Sequence, residues 1–343
     1  MSSEDAYRGK RILVIGSNSL PDSFEWHVTD SLRHMGCEVV LHCSGGPLGS
    51  AGKVSRAIGK ITGTFLREPE RLSEARLLRT TQEFLPAIIL VLLGNQLSPK
   101  TVAAIRKVSS APIVCWCQDQ MTTLGRQYLL GSRYDAVFLK DRYMLDLFSR
   151  MIASTKFHYL AEACNPRVHR PLPLSSADRD QYGCDAMLAG TLYYYRQEIL
   201  ERLACFDLKI WGAQPDWLVH RLLGKSTGRH VHGDDKVRAA LAARICVNTL
   251  HYAEVNALNC RAFEIAGCGG FQLVTNVPVV AEHFEPGSEV VTFGSAAELV
   301  EKVTYYLQNP VEAAAIAARG QVRAHRDHTY EHRLHELLGI ALG

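Results

Sequence analysis

An arginine and a glutamate three residues apart form the pair whose types and spacing best suit ligand binding. Arg261 and Glu264 lie in residues 260–266, a segment with helical spacing and no helix breaker. Residues three apart share a helix face, so both side chains can reach one ligand. A guanidinium suits phosphate oxygens, and a carboxylate can accept from two neighbouring sugar hydroxyl groups. The spacing alone also fits an ordinary surface ion pair between the two residues.

The flanking sequence predicts the elements that would position this pair. Residues 245–250 read as an apolar strand, and Asn259 stands where a helix N-cap is expected. Gly269 and Gly270 predict the end of the helix, and residues 271–275 predict a second strand. Ligands of such α/β sheets bind beyond the carboxyl ends of the strands, beside helix N-termini. The pattern therefore predicts a site for a phosphorylated ligand.

Four runs in the C-terminal half resemble CgeB-type glycosyltransferases, often described as spore-maturation proteins. They are R-x-F-E-x-x-x-C-G-G-F beginning at Arg261, and then EHFEPGSEVVTF, ELVEKVTYYLQNP and HTYEHR. The resemblance covers roughly residues 190–333 and is looser towards the N-terminus. That family is similar to the GT-B class, in which two Rossmann-like, doubly wound α/β domains face each other across a cleft. The resemblance implies transfer of a sugar from a nucleoside-diphosphate donor, with UDP or dTDP expected, to a protein, polysaccharide or lipid-linked glycan.

Length and element order fit two domains. The chain has 343 residues, which is long for a single core. Predicted strands and helices alternate along it, which is typical of α/β folds. We expect an acceptor domain over residues 1–170 and a donor domain over 171–321. A terminal helix is expected over 322–343, and the resemblance implies that it packs back on the first domain. Prolines 166, 171 and 173 predict a stiff linker at the boundary.

The resemblance places the donor contacts in the second domain. It implies that Glu264 binds the ribose, while Arg196, Arg261 and the backbone amides of Gly190 and Thr191 bind the diphosphate. The alternative for Arg196 is an ordinary surface position. Trp211 and His232 are expected to lie beside the nucleotide base. Other positions expected to contact the donor are Gly212, Asn256, Gly269 and Gly270.

Asp119 is the first candidate for a catalytic base. It follows the apolar predicted strand at residues 111–117, where an α/β sheet exposes its working residues. CgeB-type sequences resemble this segment and carry acidic residues there. An aspartate after a strand is also an ordinary turn residue. His27, just inside a predicted helix, is the second candidate base, and a structural histidine is the alternative reading.

The stereochemistry is suggested by an incomplete motif. Many retaining GT-B enzymes carry an E-x7-E pattern, but Asn256 occupies its first position here and Glu254 lies two residues out of register. This departure favours inversion with a base such as Asp119 and leaves the stereochemistry open. Cations and helix dipoles, rather than a metal ion, are expected to meet the charge of the leaving group.

Composition and charge argue against several classes of protein. A net charge of +3 argues against a dedicated nucleic-acid binder. No apolar run reaches membrane-spanning length, and the N-terminus lacks the apolar region of a signal peptide. Ten cysteines without a C-x-x-C pair fit buried thiols in a reducing cytoplasm. The basic segment at residues 53–79 predicts peripheral membrane contact or surface helices packed on a sheet.

Two other function classes stay open at this stage. A sugar-nucleotide epimerase can share the GT-B architecture without an acceptor channel. A non-catalytic subunit that binds nucleotide sugars or glycans would keep the fold and lose the site. Product analysis with a panel of nucleotide sugars separates these classes from a transferase.

Overall fold

The computed structural model describes residues 6–17, 19–43, 68–92, 97–119 and 128–343. Contacts along the chain divide it into two units. The first contains Met1–Leu160 and Leu334–Gly343, and the second contains Ala161–Arg333. The first change of unit therefore lies before the predicted boundary at residue 170.

The first unit is a parallel sheet with intervening helices. Its elements are β1 (Arg11–Gly16), α1 (Phe24–His34), β2 (Glu38–Cys43), α2 (Glu68–Phe84), β3 (Ile88–Leu92), α3 (Pro99–Val108), β4 (Ile113–Cys117), α4 (Tyr128–Gly131), β5 (Ala136–Leu139), α5 (Arg142–Met151) and β6 (Phe157–Tyr159). The strands lie in the order β2-β1-β3-β4-β5-β6, and all neighbours are parallel. Strands β3 and β4 are buried along their whole length, as apolar runs in a parallel sheet require.

The second unit repeats the design with five strands. Its elements are α6 (Ser176–Tyr182), β7 (Cys184–Ala189), α7 (Tyr194–Glu201), β8 (Leu208–Trp211), a 3₁₀ turn (His220–Leu222), α8 (Gly233–Ala242), β9 (Ala243–Asn248), α9 (Cys260–Cys268), β10 (Gln272–Thr275), α10 (Val280–His283), β11 (Val291–Phe293), α11 (Ala296–Gln308) and α12 (Pro310–Asp327). The last helix, α13 (Tyr330–Leu342), begins in this unit and belongs to the first unit from Leu334. The strand order is β11-β10-β9-β7-β8, again with parallel neighbours. The chain order reverses between β7 and β9, and this reversal is where ligands bind in open α/β sheets.

The predicted linker is bonded into the second unit. Cys164 donates its backbone N–H to the His328 carbonyl and accepts from the N–H of Tyr330, both at 3.0 Å. The buried Arg333 guanidinium donates to the backbone carbonyls of Ala161 and Glu162. The HTYEHR run therefore holds residues 161–164 in place, which explains why the unit changes before the prolines.

The C-terminal helices differ from the sequence prediction. The prediction placed a terminal helix at 322–343, but α12 continues to Asp327 and α13 begins at Tyr330. Gly320 does not end a helix; it lies buried inside α12, where a Cβ would come within 2.4 Å of the Glu289 carbonyl oxygen. Glycine is required there for close packing rather than for a helix end. From Leu334 the chain groups with the first unit, and the rings of Tyr7 and His335 lie 5.3 Å apart.

The basic segment at 53–79 lies mostly outside the described residues. Residues 53–67 are not described, and residues 68–79 belong to α2. Within α2, Leu77 is buried in the core of the first unit and Arg76 is exposed. Across the described ranges, each helix is too short or too polar to span a bilayer.

Candidate functional site

Four of the predicted donor residues, Gly190, Thr191, Arg196 and Arg261, lie together where β7 and β9 are neighbours. Gly190 follows β7 directly, and Thr249 follows β9. Arg196, in the first turn of α7, donates from Nε to the Thr249 hydroxyl oxygen at 2.8 Å and from Nη2 to the Thr249 carbonyl at 3.1 Å. These bonds join the two strand ends at the point where the strand order reverses.

Arg196 is buried, so the surface alternative raised for it is wrong. Its side chain is 3% exposed and also donates to the Thr191 carbonyl and to the Tyr193 hydroxyl. A guanidinium has five N–H groups, and the protein uses four of them. Burial lowers the pKa of Arg196 to about 10, and the charge of Arg261 acts in the same direction. Arg196 therefore mainly organises the strand ends.

Arg261 lies beside Arg196 and is less occupied by the protein. Its Nη1 donates to the Asn248 side-chain oxygen at 3.1 Å. A Cβ built on Gly190 would lie 2.9 Å from Nη2 of Arg261 and 3.5 Å from Nη1 of Arg196. Two guanidinium groups therefore converge above Gly190. The negative charge of Glu254 raises the pKa of Arg196. This effect is smaller than the lowering caused by burial and by the Arg261 charge.

A reciprocal amide pair holds Arg261 at the start of α9. Asn248 and Asn259 each donate from Nδ2 to the other's Oδ1 at 3.0 Å, and both are buried. The same Oδ1 of Asn259 accepts from the N–H of Ala262, which confirms the predicted N-cap. The end of β9 and the first turn of α9 are therefore tied together, and Arg261 projects from that turn.

Glu264 is buried and does not pair with Arg261. Lys236 on α8 places its Nζ 3.2 Å from Glu264 Oε1. His169 Nε2 lies 3.7 Å from the same oxygen, while His169 Nδ1 accepts from the N–H of Asn165. A neutral imidazole that accepts at Nδ1 carries its proton on Nε2, which faces the carboxylate. The surface ion pair between Arg261 and Glu264, which spacing alone favoured, is wrong.

A pocket opens against this face of α9. Its lining combines the charged side chains of Lys236, Arg261 and Glu264 with the apolar surfaces of Met187, Ala189, Ala240, Ile265 and Cys268. Sites for small molecules are mostly apolar with a few polar groups at the edge, and this small pocket exposes mainly apolar surface. Its members come from α8, α9 and the end of β7.

The residues predicted beside the base occupy different environments. Trp211 is 4% exposed and packs on Tyr182 in the core, so its ring is not available for stacking. Gly212 faces protein backbone, because a Cβ there would lie 2.6 Å from the Gly190 carbonyl oxygen. His232 is exposed at the N-cap position of α8. Of these three, His232 alone presents an accessible side chain.

Gly269 and Gly270 end α9 rather than line its N-terminus. Their N–H groups donate to the carbonyls of Ala266 and Ile265 at 2.8 and 3.0 Å. They lie at the opposite end of the helix from Asn259, so the placement gives them a structural role.

The two positions compared with the E-x7-E pattern face different partners. Asn256 Oδ1 accepts from the N–H of Val279 and so holds the following turn. Glu254 accepts from the N–H of His251, and its charge raises the pKa of both Arg196 and Tyr193. Glu254 therefore acts electrostatically on Arg196, while Asn256 has a structural contact.

The candidate bases belong to the first unit. Asp119 is exposed two residues after the end of β4, as the sequence predicted for its position. His27 is 1% exposed within α1, and its Nε2 lies 2.9 Å from Asp22 Oδ1. A buried imidazole paired with a carboxylate fits both an oriented base and a structural histidine. Their catalytic roles stay predictions.

An acidic D-x-D triplet, which the expectation of metal-free chemistry overlooked, is present at Asp178-Arg179-Asp180 on α6. Asp178 completes a capping box with Ser175, and those hydrogen bonds lower the pKa of its carboxyl. Arg238 lies 3.5 Å from the same carboxylate. The triplet begins a helix, and metal independence stays a prediction.

Several residues of the site were missed by the sequence analysis. Asn248 and Thr249 are a polar pair at the end of an apolar strand, and that contrast was a usable signal. Lys236 and His169 gave none, because each reaches Glu264 from a distant segment.

Comparison with known proteins gives a match to one sequence family over part of the chain and a set of solved structures with a similar fold. A family of sequences described as "Glycosyl transferase-like" matches residues 196–339. No curated protein matches the chain. The structure is similar to that of Anabaena Alr3699/HepE solved with UDP and glucose, with a TM-score of 0.66 and 14% identity, over 96% of this chain and 100% of that one.

Two further structures agree. Sucrose-phosphate synthase from Thermosynechococcus elongatus has a TM-score of 0.67 and 12% identity, over 96% of this chain and 98% of that one. A glycosyltransferase from Rickettsia africae has a TM-score of 0.67 and 11% identity, over 98% of both chains. The chain has the fold of GT-B glycosyltransferases. This confirms the predicted fold class, while the CgeB-type assignment stays a prediction.

Proposed function

We propose that the chain is a glycosyltransferase that takes its sugar from a nucleoside-diphosphate donor bound by the second unit. The observation that carries this proposal is the convergence of Arg196 and Arg261 above Gly190. Two neighbouring cations repel each other and are stabilised by an anion between or above them. Their place between β7 and β9 is where an open α/β sheet binds its ligand.

A diphosphate fits this position. Arg261 stands in the first turn of α9, so its charge adds to the positive end of the helix dipole. The segment Gly190-Thr191 lies beneath the guanidinium groups, and Thr191 is exposed. Arg196 keeps one N–H for a ligand, and its other bonds fix the floor of the site.

Glu264 is proposed to bind the ribose. It lies one helical turn beyond Arg261 and lines the same pocket. Lys236 and His169 face one carboxylate oxygen, and a carboxylate accepts hydrogen bonds from hydroxyl groups. The Anabaena HepE structure that shares the fold contains UDP, and we propose UDP as the nucleotide, with dTDP as the second choice.

The proposed transfer forms one bond and breaks one. An acceptor hydroxyl oxygen bonds to C1 of the donor sugar as the bond between C1 and the phosphate oxygen breaks. The proton of the acceptor passes to a base, for which Asp119 is the first choice, and the nucleoside diphosphate leaves with the electron pair. Its charge grows as the bond breaks, so contacts with Arg261 and the α9 N-terminus strengthen in the transition state.

Calorimetry with UDP, dTDP and GDP tests the donor site. We expect Arg261→Ala to weaken diphosphate binding by about 1.5–3 kcal/mol, since a charged hydrogen-bond partner is lost. Arg221→Ala, at an exposed position on the 3₁₀ turn, should leave affinity unchanged. Equal affinities of the parent and Arg261→Ala would refute the site.

Product analysis with UDP-sugars then tests the reaction. Transfer or slow hydrolysis supports the proposal. Conversion of the sugar to its epimer, or binding without turnover, would assign the chain to one of the other two classes.

A further inference from the structure

Six aromatic and imidazole side chains lie beside the proposed donor site in two groups of contacting rings. We call them together the aromatic patch: one group is Tyr193, His251, Tyr252 and Tyr195, and the other is the pair Tyr194 and Trp217, joined to the first through the consecutive residues 193–195. Tyr252 is 70% exposed and Tyr194 is 61% exposed. Large aromatic rings are seldom grouped on a surface without a partner. The donor contacts described above do not use the exposed rings.

The patch is held in shape by the protein. The rings of Tyr194 and Trp217 stack with centroids 4.3 Å apart and an interplanar angle of 29°. Gln197, one helical turn after Tyr194, is fully buried and accepts from the N–H of Val219 at 2.8 Å. This bond fixes the segment that carries Trp217 against α7. The stacked pair is therefore preorganised, which lowers the entropic cost of binding a partner.

The group of four rings in the patch is continuous with the proposed donor site. Tyr193 accepts from Arg196 Nη2 at 3.0 Å, and its ring centroid lies 4.7 Å from that of His251. His251 lies 4.2 Å from Tyr252, whose ring meets that of Tyr195 edge-on at 5.9 Å. A ligand on Tyr252 would therefore lie a few side chains from the converging arginines.

The chemistry of the patch selects its partner. Each member joins an apolar ring to a polar hydroxyl or N–H group. A pyranose has the matching form, with an apolar C–H face and hydroxyl groups around its rim. The rings are inclined to one another, with angles from 29° to 76°, so they suit successive sugar units rather than one flat base.

We propose that the aromatic patch binds the saccharide chain of the acceptor by stacking on its pyranose rings. This inference rests on the proposed function, because it names a carbohydrate as the acceptor of that same site. It assigns acceptor contacts to the second unit, in addition to the expected acceptor domain.

Binding of cellotetraose, maltotetraose and chitotetraose, measured by calorimetry with UDP present, tests the inference. We expect at least one of these probes to bind the parent, and Tyr252→Ala and Trp217→Ala each to weaken it about tenfold. UDP affinity, measured separately, should stay unchanged in both variants. The matched control is Tyr143→Ala, since Tyr143 is 51% exposed on α5 in the other unit.

Fluorescence provides a second readout. Of the four tryptophans, Trp217 alone is exposed, with 41% of its surface accessible, so a bound saccharide should change its emission. Trp217→Phe should keep saccharide binding in calorimetry and lose most of the emission change.

Three results would overturn the inference. One is a parent protein to which none of the three probes binds at millimolar concentration. Another is a parallel loss of UDP affinity in the Tyr252 and Trp217 variants, which would assign the patch to the nucleotide. The third is self-association that these variants abolish, which would assign it to a second copy of the chain. Saccharide binding without any nucleotide binding would instead refute the proposed function and leave the patch as a glycan site.

Discussion

Arg196 and Arg261 meet above Gly190, but their surroundings give them different functions. Arg196 is buried and uses four N–H groups on the protein, so it joins the ends of β7 and β9. Arg261 is held at a single point by Asn248 and keeps the rest of its guanidinium for a ligand. Arg196 thus has a structural role, while Arg261 is the candidate phosphate ligand.

The carboxylate of Glu264 gives the first prediction. Glu264→Gln keeps the shape of the side chain but removes the charge that Lys236 and His169 face. We expect nucleotide binding to weaken by about 1.5–3 kcal/mol, because hydrogen bonds from the ribose to a charged acceptor are lost. Calorimetry with UDP measures this loss of affinity. The control is Glu312→Gln, at an exposed position on α12 that accepts from the Tyr305 hydroxyl on α11. Unchanged affinity would exclude Glu264 from the donor site.

The second prediction concerns the base. Asp119→Asn should lower turnover by about 100- to 10,000-fold, the usual contribution of general-base catalysis, while nucleotide affinity stays nearly intact. The product should have the inverted anomeric configuration. Steady-state kinetics and NMR of the product measure both outcomes. Asp216→Asn is a matched exposed control.

The rival bases are ranked by the same assay. His27→Ala removes the imidazole paired with Asp22, and Glu254→Ala removes the carboxylate whose charge acts on Arg196. If Asp119→Asn retains most of the turnover, or the product retains the donor configuration, the assignment to Asp119 is wrong.

Among the elements, the loop between α12 and α13 has the clearest structural function. Its HTYEHR run carried part of the sequence resemblance, yet in the structure it bonds residues 161–164. His328 Nε2 donates to the His283 carbonyl at 2.7 Å, and its Nδ1 accepts from Arg333 Nη2 at 2.9 Å. The bond accepted at Nδ1 requires the neutral imidazole, because an imidazolium donates from both ring nitrogens.

This loop gives the third prediction, a loss of stability in acid. Burial, followed by the Arg333 charge, lowers the pKa of His328 from 6.5 to about 4. The folded state therefore binds fewer protons than the unfolded state between these values. The stabilisation is complete above pH 6.5 and is lost as the pH falls towards 4, by on the order of 3 kcal/mol.

Urea unfolding across that range measures the effect. His328→Gln should flatten the part of the pH dependence that His328 contributes, since an amide can donate to one partner and accept from the other. His220→Gln, at an exposed position, should leave the profile as in the parent. A His328→Gln profile as steep as that of the parent would contradict the assignment.

At the scale of the whole molecule, each unit is a parallel sheet whose strand order reverses once. The proposed donor site occupies that reversal in the second unit. Its positive charge comes from two arginines and the N-terminus of α9, which leads to the fourth prediction. Donor binding and turnover should persist in excess EDTA, because these groups meet the phosphate charge.

Activity assays with and without EDTA, magnesium and manganese measure this. Asp178→Asn should change stability through its capping box and leave turnover unaffected. Activity that EDTA abolishes and magnesium restores would show that a metal ion is needed.

The sequence by itself determined the features that depend on near neighbours in the chain. The apolar run RILVIG forms the buried strand β1, and Asn259 caps α9 as predicted. The alternation of strands and helices was sufficient for the α/β class. Asp119 lies at a strand end because the preceding apolar run can only be a buried strand.

Only the tertiary structure decided which side chains meet. Arg196 bonds Thr249 across 53 residues, and Lys236 and His169 reach Glu264 from separate segments. Helical spacing placed Arg261 and Glu264 on one face of the helix. It could not show that Arg261 would bond to Asn248 and that Glu264 would pair with Lys236. Local patterns fix backbone conformation through short-range sterics and hydrogen bonds. The partners of a charge depend on which strands become neighbours, and that is set by the packing of the whole sheet.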